Sequence, residues 1–120
     1  MKYLCMVYHD EQNLKALATD QSDDLVARSL AYDDRLRDSG HLIAANALQP
    51  VATARTLRRS GGKVVVTDGP FAETREQLGG FLLIEARDLD EAIELASRIP
   101  PLALGCVEVR PIKELRKVPA

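Results

Sequence analysis

Thr67-Asp68-Gly69-Pro70-Phe71 sets a carboxylate against a Gly-Pro break, between the apolar run Val64-Val65-Val66 and a stretch of good helix formers. Asp68 there could act as a general base or hold a cationic ligand group. The same place suits a turn aspartate whose carboxylate accepts backbone N–H bonds. The chain has two histidines. His9 closes one apolar run and His41 opens another. Either could carry a proton, because imidazole titrates near neutrality, although a lone histidine is more often a surface or hydrogen-bonded residue. Ser29 and Asp33 stand four apart beside an apolar helix stripe, where polar side chains either line a cleft or form a solvated edge. Arg75 and Glu76 could pair with each other or with a partner subunit, and exposed pairs of that kind contribute little. The candidates are therefore Asp68 and His41 for catalysis, and Ser29, Asp33, His9 and Arg75 for binding.

Other chemistry has weaker support. His9-Asp10-Glu11 is too compact for a metal site, which draws ligands from several elements, so no metal is expected. Cys5 and Cys106 lie in apolar runs without C-x-x-C spacing and read as reduced core thiols. Arg55, Arg58, Arg59 and Lys63 make a basic hairpin that could bind a phosphate or an acidic protein. Charged hairpin edges also block unwanted strand pairing. No G-x-G-x-x-G, P-loop, G-x-S-x-G or H-E-x-x-H pattern occurs, so no cofactor and no familiar hydrolase machinery are expected. Net charge is −2 and aromatic residues are 4% with no Trp, which speaks against nucleic acid and an anionic membrane as partners.

The elements that must position these residues are legible in the pattern. The 120 residues suggest one domain. Residues 2–8 read as a buried strand, followed by a polar stretch with room for a helical turn. A helix is expected from Ser22 to Ser39, with Leu25, Tyr32 and Leu36 as its stripe and Gly40 as its stop. His41 to Leu48 reads as a strand, 54–68 as a hairpin around Ser60-Gly61-Gly62, and Gly80 to Ala86 as an apolar strand. Asp88 caps a second helix, with Glu91 completing a capping box and Leu89, Ala92, Ile93, Ala96 and Ile99 facing inward. Residues 106–112 alternate like a last strand. Between hairpin and strand, Pro70 could open a short helix in which Phe71 and Leu78 pin a strap to the core, with Gly79 and Gly80 giving a left-handed exit and a close backbone approach.

The order β-α-β-hairpin-β-α-β is α+β, a ferredoxin-like βαββαβ arrangement with an extra β-hairpin. Two helices would cover one sheet face, and the apolar strands leave the other for a second subunit, so a homodimer is expected. The apolar run Tyr3 to Tyr8 is too short for a signal peptide core, and no stretch approaches a membrane span, so the expected location is the cytoplasm.

The segment "VTDGPFAETREQLGGFLLIEA" resembles the signature of the YCII-related family, in its DGPF-domain branch. "MKYLCMVY", "SGHLIAANALQPV" and "LGCVEVRPI" fit the same branch. The resemblance implies a ferredoxin-like subunit paired into a dimeric α/β barrel. Members of the wider family are thought to use a His–Asp pair in a cleft, and some of this branch are encoded beside, or fused to, extracytoplasmic-function sigma factors. The family's Asp matches Asp68. Its His lies on the first helix, where this chain has none and Ser29 stands near the expected place. Two functions follow as expectations. One is a small-molecule enzyme or binder with a cleft near Asp68, assisted by His41 or a polar residue of the first helix. The alternative is a non-catalytic interaction protein linked to a sigma factor, with the basic hairpin and strap as recognition surfaces.

Overall fold

The computed structural model describes residues 1–119. Strand β1 (Lys2–His9) is flanked on one edge by β5 (Gln77–Glu85) and on the other by β6 (Gly105–Pro111), and β2 (Leu42–Ala47) lies outside β5. All three contacts are antiparallel, so the order is β2-β5-β1-β6. Helices α1 (Glu11–Lys15) and α2 (Thr19–Asp38) follow β1, and α3 (Leu89–Ala96) joins β5 to β6. Strands β3 (Arg55–Ser60) and β4 (Lys63–Asp68) form a separate two-stranded sheet. With that hairpin set aside, the fold is the ferredoxin-like α+β arrangement expected from the sequence.

Alternation along the strands builds the core. Tyr3, Cys5 and Val7 are buried on one face of β1, opposite Ile84, Leu82 and Gly80 of β5. Tyr32 and Leu36 of α2, with Ala92, Ala96 and Ile99 at α3, close over them. The two alanines let α3 approach the sheet closely, and the Tyr32 hydroxyl donates to the Leu95 carbonyl at 2.5 Å, tying the helices together. Leu4, Met6, Phe81 and Leu83 fall on the opposite face, half-buried at most.

Several local expectations are met by visible bonds. Asp88 accepts from the Glu91 N–H at 2.9 Å, while Glu91 returns a bond to Arg87 N–H at 2.9 Å, one residue before the usual capping-box partner. Gly61 and Gly62 have φ of 57° and 78°, the two left-handed residues that a two-residue hairpin turn requires.

The departures have physical causes. Helix α2 starts at Thr19 rather than Ser22, because the Gln21 side chain accepts the Ala18 N–H at 3.0 Å and satisfies the earlier turn. The strap helix does not form. Residues 71–76 are irregular, and Gln77 and Leu78 already belong to β5. Strand β1 offers backbone partners as far as His9, opposite Gln77. A two-turn helix carries a nucleation cost that these ladder bonds outweigh. Phe71 consequently stands 80% exposed instead of pinning anything to the core. Neither Gly79 nor Gly80 has positive φ, so there is no left-handed exit. The expected close approach does occur at both. A β-bulge between Val7 and Tyr8 leaves Gly79 as the extra residue of β5. On α3, Leu89 and Ile93 are exposed rather than inward.

Cys106 is also exposed, contrary to expectation. It lies on edge strand β6, where Val107 and Val109 are opposite the core residues Val7 and Cys5, so Cys106 falls on the open face. Burial pushes the Cys5 thiol up from 9.0 to about 11. A thiol reagent is expected to modify Cys106 alone in the native protein at neutral pH, with Cys5 reacting only as fast as the chain unfolds. Labelling of both within seconds would place Cys5 outside the core. The folded state holds the Cys5 proton more tightly than the unfolded chain does. This contribution to stability is complete below pH 9 and is lost as pH rises toward 11. Urea titrations at pH 8, 10 and 11 should show Cys5→Ala losing less stability with pH than the parent.

Candidate functional site

The end of β1 delivers His9 onto the helix-covered face, and the chain turns there into α1. Asp10 caps that helix by accepting from Gln12 N–H at 2.8 Å. Gln77, opposite His9, accepts from Glu11 N–H at 3.0 Å and donates to the Thr74 carbonyl at 2.6 Å. Glu11 accepts from Val51 N–H at 2.9 Å. These bonds hold α1, the single turn Val51–Thr53 and residues 71–76 around one mouth.

Behind the mouth lies a cavity of about 350 Å³, walled by Val7, Gly80 and Leu82 of the sheet, Leu14 of α1 and Leu25 and Val26 of α2. Its lining is mainly apolar. His9, Glu11, Lys15, Asp33 and Asn46 are the polar residues on it. His9 is the distinctive one. A methyl group built on Gly79 would sit 2.1 Å from its Nε2 and 2.5 Å from its Cε1, so the imidazole lies where only glycine leaves room. Its Nδ1 is buried without a hydrogen-bond partner among the described residues. A buried polar nitrogen left unpaired costs about 1–3 kcal/mol, so its retention calls for a reason.

Asp33 reaches the same cavity from α2. Burial pushes its carboxyl above the ordinary range and Asp34 adds to the rise, while Arg37 pulls it part of the way back. The site thus combines an imidazole, a carboxyl whose proton burial helps to hold and an apolar wall. That set can exchange a proton with a small ligand.

The remaining candidates stand elsewhere. Ser29 spends its hydroxyl on the Leu25 carbonyl at 2.8 Å. His41 lies at the other end of the sheet. Its Nδ1 is 2.8 Å from the Glu85 carbonyl, which can only accept, so Nδ1 carries the proton and the ring clamps β2 to β5. Counted along β1 the two histidine ends are about 23 Å apart. Asp68 is 89% exposed at the hairpin's base, 3.1 Å from the Arg55 guanidinium. Arg75 is exposed on residues 71–76. That irregular segment also walls a second cavity of about 630 Å³, with Pro70, Phe71, Thr74 and Leu78 on it and Tyr8 across from them. Among the described residues no three of His, Cys, Asp and Glu converge so as to hold a metal ion, and no helix is long and apolar enough to cross a membrane. Sequence reasoning missed Gln77, and weighed Glu11 only as a metal ligand. The glycine pair was read as a helix exit and a close backbone approach, without the link to His9 that the structure shows at Gly79.

Gly79→Ala is expected to leave the fold intact, because the obstructing group is the end of a side chain, while displacing the imidazole. The His9 Cε1–H resonance should move well beyond that of His41. An unmoved signal would show that the ring does not sit over Gly79.

Comparison with known proteins gives the lineage. The family model described as "YCII-related domain" matches residues 1–116. An uncharacterized protein of Rhizobium meliloti (strain 1021) is 38% identical over 115 residues, covering 93% of this chain and 92% of that one. Among solved structures, the 5-chloro-2-hydroxyhydroquinone dehydrochlorinase TftG of Burkholderia phenoliruptrix AC1100, in complex with 2,5-dihydroxybenzoquinone, is similar. Its TM-score is 0.54 at 20% identity, with 94% of each chain covered. That likeness is one of fold, and the family match together with the close relative settles descent: the chain belongs to the YCII-related family.

Proposed function

We propose that the chain is a small-molecule enzyme or binder whose site is the cavity at the end of β1, with His9 as its proton carrier and Asp33 as the group that orients the ligand. The observation that carries this reading is the buried, unpartnered Nδ1 of His9 against an apolar wall. A polar ligand atom in the cavity would supply the missing bond. The lining favours a compact, mainly apolar ligand with one or two oxygens. TftG, a protein of the same fold, is complexed with a single-ring compound, which supports a ligand of this size. In this reading Asp68 is a hairpin ion pair and His41 a sheet clamp.

The test is a screen of phenols, quinones and enolisable keto acids by ligand-observed NMR, followed by turnover assays of any hit. His9→Ala is expected to lower turnover by about 10²–10⁴-fold, the usual weight of a general acid or base. Burial favours the neutral form of Asp33, which would donate to a ligand oxygen. Affinity should then fall as pH rises through a midpoint above the ordinary aspartate range, and Asp33→Asn should flatten that dependence. A hit handled equally well by the parent and His9→Ala would sink the assignment.

The second reading is an interaction protein linked to an extracytoplasmic-function sigma factor. The exposed basic hairpin favours it, and it takes precedence if no ligand perturbs the His9 signal. For either role a homodimer through the face bearing Leu4, Met6, Phe81 and Leu83 is proposed, with the cytoplasm as its location. The chain exposes 8813 Å², whereas a compact monomer of its mass exposes about 6,400 Å². The excess, about 2,400 Å², is of the size that one partner gives to a large obligate interface. Light scattering at micromolar concentration should return twice the chain mass, and a monomer mass would refute the dimer.

A further inference from the structure

We infer that the β3–β4 hairpin is an arm that lays its Leu57, Val64 and Val66 face on a second copy of this chain, an inference that rests on the proposed homodimer and adds a second contact to it. Leu57 pairs with Val66 and Arg59 with Val64, so the three apolar side chains share one face of the hairpin. Their exposures are 63%, 57% and 54%. The arm is tied to its own body at the base, where Gly69 N–H donates to the Ala54 carbonyl and the Thr56 hydroxyl to the Gly69 carbonyl, both at 2.8 Å. From there it extends six rungs, about 20 Å, without laying that face on the core.

An isolated two-stranded hairpin is marginal in water, and contiguous exposed apolar surface marks an interaction site. The overall dimensions agree. The radius of gyration is 16.8 Å, against about 14 Å for a compact chain of this length.

Charge selects the partner. Residues 55–68 carry four cations and one carboxylate, a net +3, in a chain of net −2, which leaves −5 on the rest. The arm of one copy is therefore attracted to the body of another. A second copy also presents, at equal concentration, a surface with the same unfilled excess of area.

Sedimentation equilibrium on the parent, Leu57→Ser/Val66→Ser and the opposite-face control Arg58→Ser/Val65→Ser tests the arm. The first pair is expected to weaken the dimer at least 100-fold and the control less than threefold, with the His9 resonance reporting that each still folds. Hydrogen exchange on the unaltered parent gives an independent reading, with slower exchange across 57–66 as concentration rises through the dimer range. A parent that is monomeric throughout overturns the homodimer and the arm together. A dimeric parent with 57–66 equally exposed at all concentrations, or with the apolar pair dispensable, overturns the arm alone and leaves the dimer standing.

Discussion

Strand β1 must bond along both edges as far as His9, and the rest of the molecule is arranged around that demand. On one side β6 begins at Gly105, where any Cβ would lie 1.9 Å from the Tyr8 carbonyl oxygen. On the other, β5 brings Gly79 under the His9 ring. Two glycines let two backbones close on the last residues of a central strand, and helix α1 starts immediately beyond them. The cavity is thus a by-product of strand pairing carried one step further than the helices can cover. Its polar mouth follows too, since Gln77 lies opposite His9 and its side chain reaches the N-terminus of α1.

How much of this the sequence showed depends on how local each signal is. The hairpin turn at Gly61-Gly62, the Asp88 cap and the alternation of Tyr3, Cys5 and Val7 are written within a few residues, and all were readable. The strap was misread because its fate depends on a strand some seventy residues away. Pro70 and the following helix formers satisfy a helical pattern on their own, and only the free edge of β1 outweighs them. Cys106 was misread for the same kind of reason. An apolar neighbourhood in sequence says nothing about which side of an edge strand a side chain takes. Within the candidate site, His9 and Asp33 were named as residues, but that they share a cavity is a tertiary fact. Asp68, the most conspicuous residue in sequence, stands in an exposed ion pair, and such pairs carry little energy.

The polar inventory is divided between two tasks. Several charged side chains pair within one element, as in the i,i+4 pairs Asp24–Arg28 and Glu94–Arg98. Others reach across elements, as Arg55 to Asp68 does at the hairpin base, and two such polar contacts sit side by side at the mouth of the cavity: Glu11 to Val51 and Gln77 to Glu11. Long-range polar contacts are entropically costly, because they fix long side chains, and they tend to be kept where geometry matters. The two beside His9 hold the shape of the cavity mouth.

The bulge at Gly79 acts like a shift of reading frame for side chains. Strands assign residues to faces by parity, and one unpaired residue reverses the parity of everything beyond it. With Gly79 in place, Gln77 falls on the helix-covered face and Leu78 on the open one. Pair Gly79 with Tyr8 instead of leaving it out of the ladder and the assignments exchange: Leu78, then opposite His9, would project its isobutyl group toward the space beside α1, and Gln77 would carry a polar amide onto the apolar sheet face. One glycine therefore writes two surfaces at once, the polar rim of the cavity and the apolar character of the opposite face. A chain that kept this residue but paired it regularly would redistribute both together, which ties the chemistry of the pocket to whatever the far side of the sheet is built to meet.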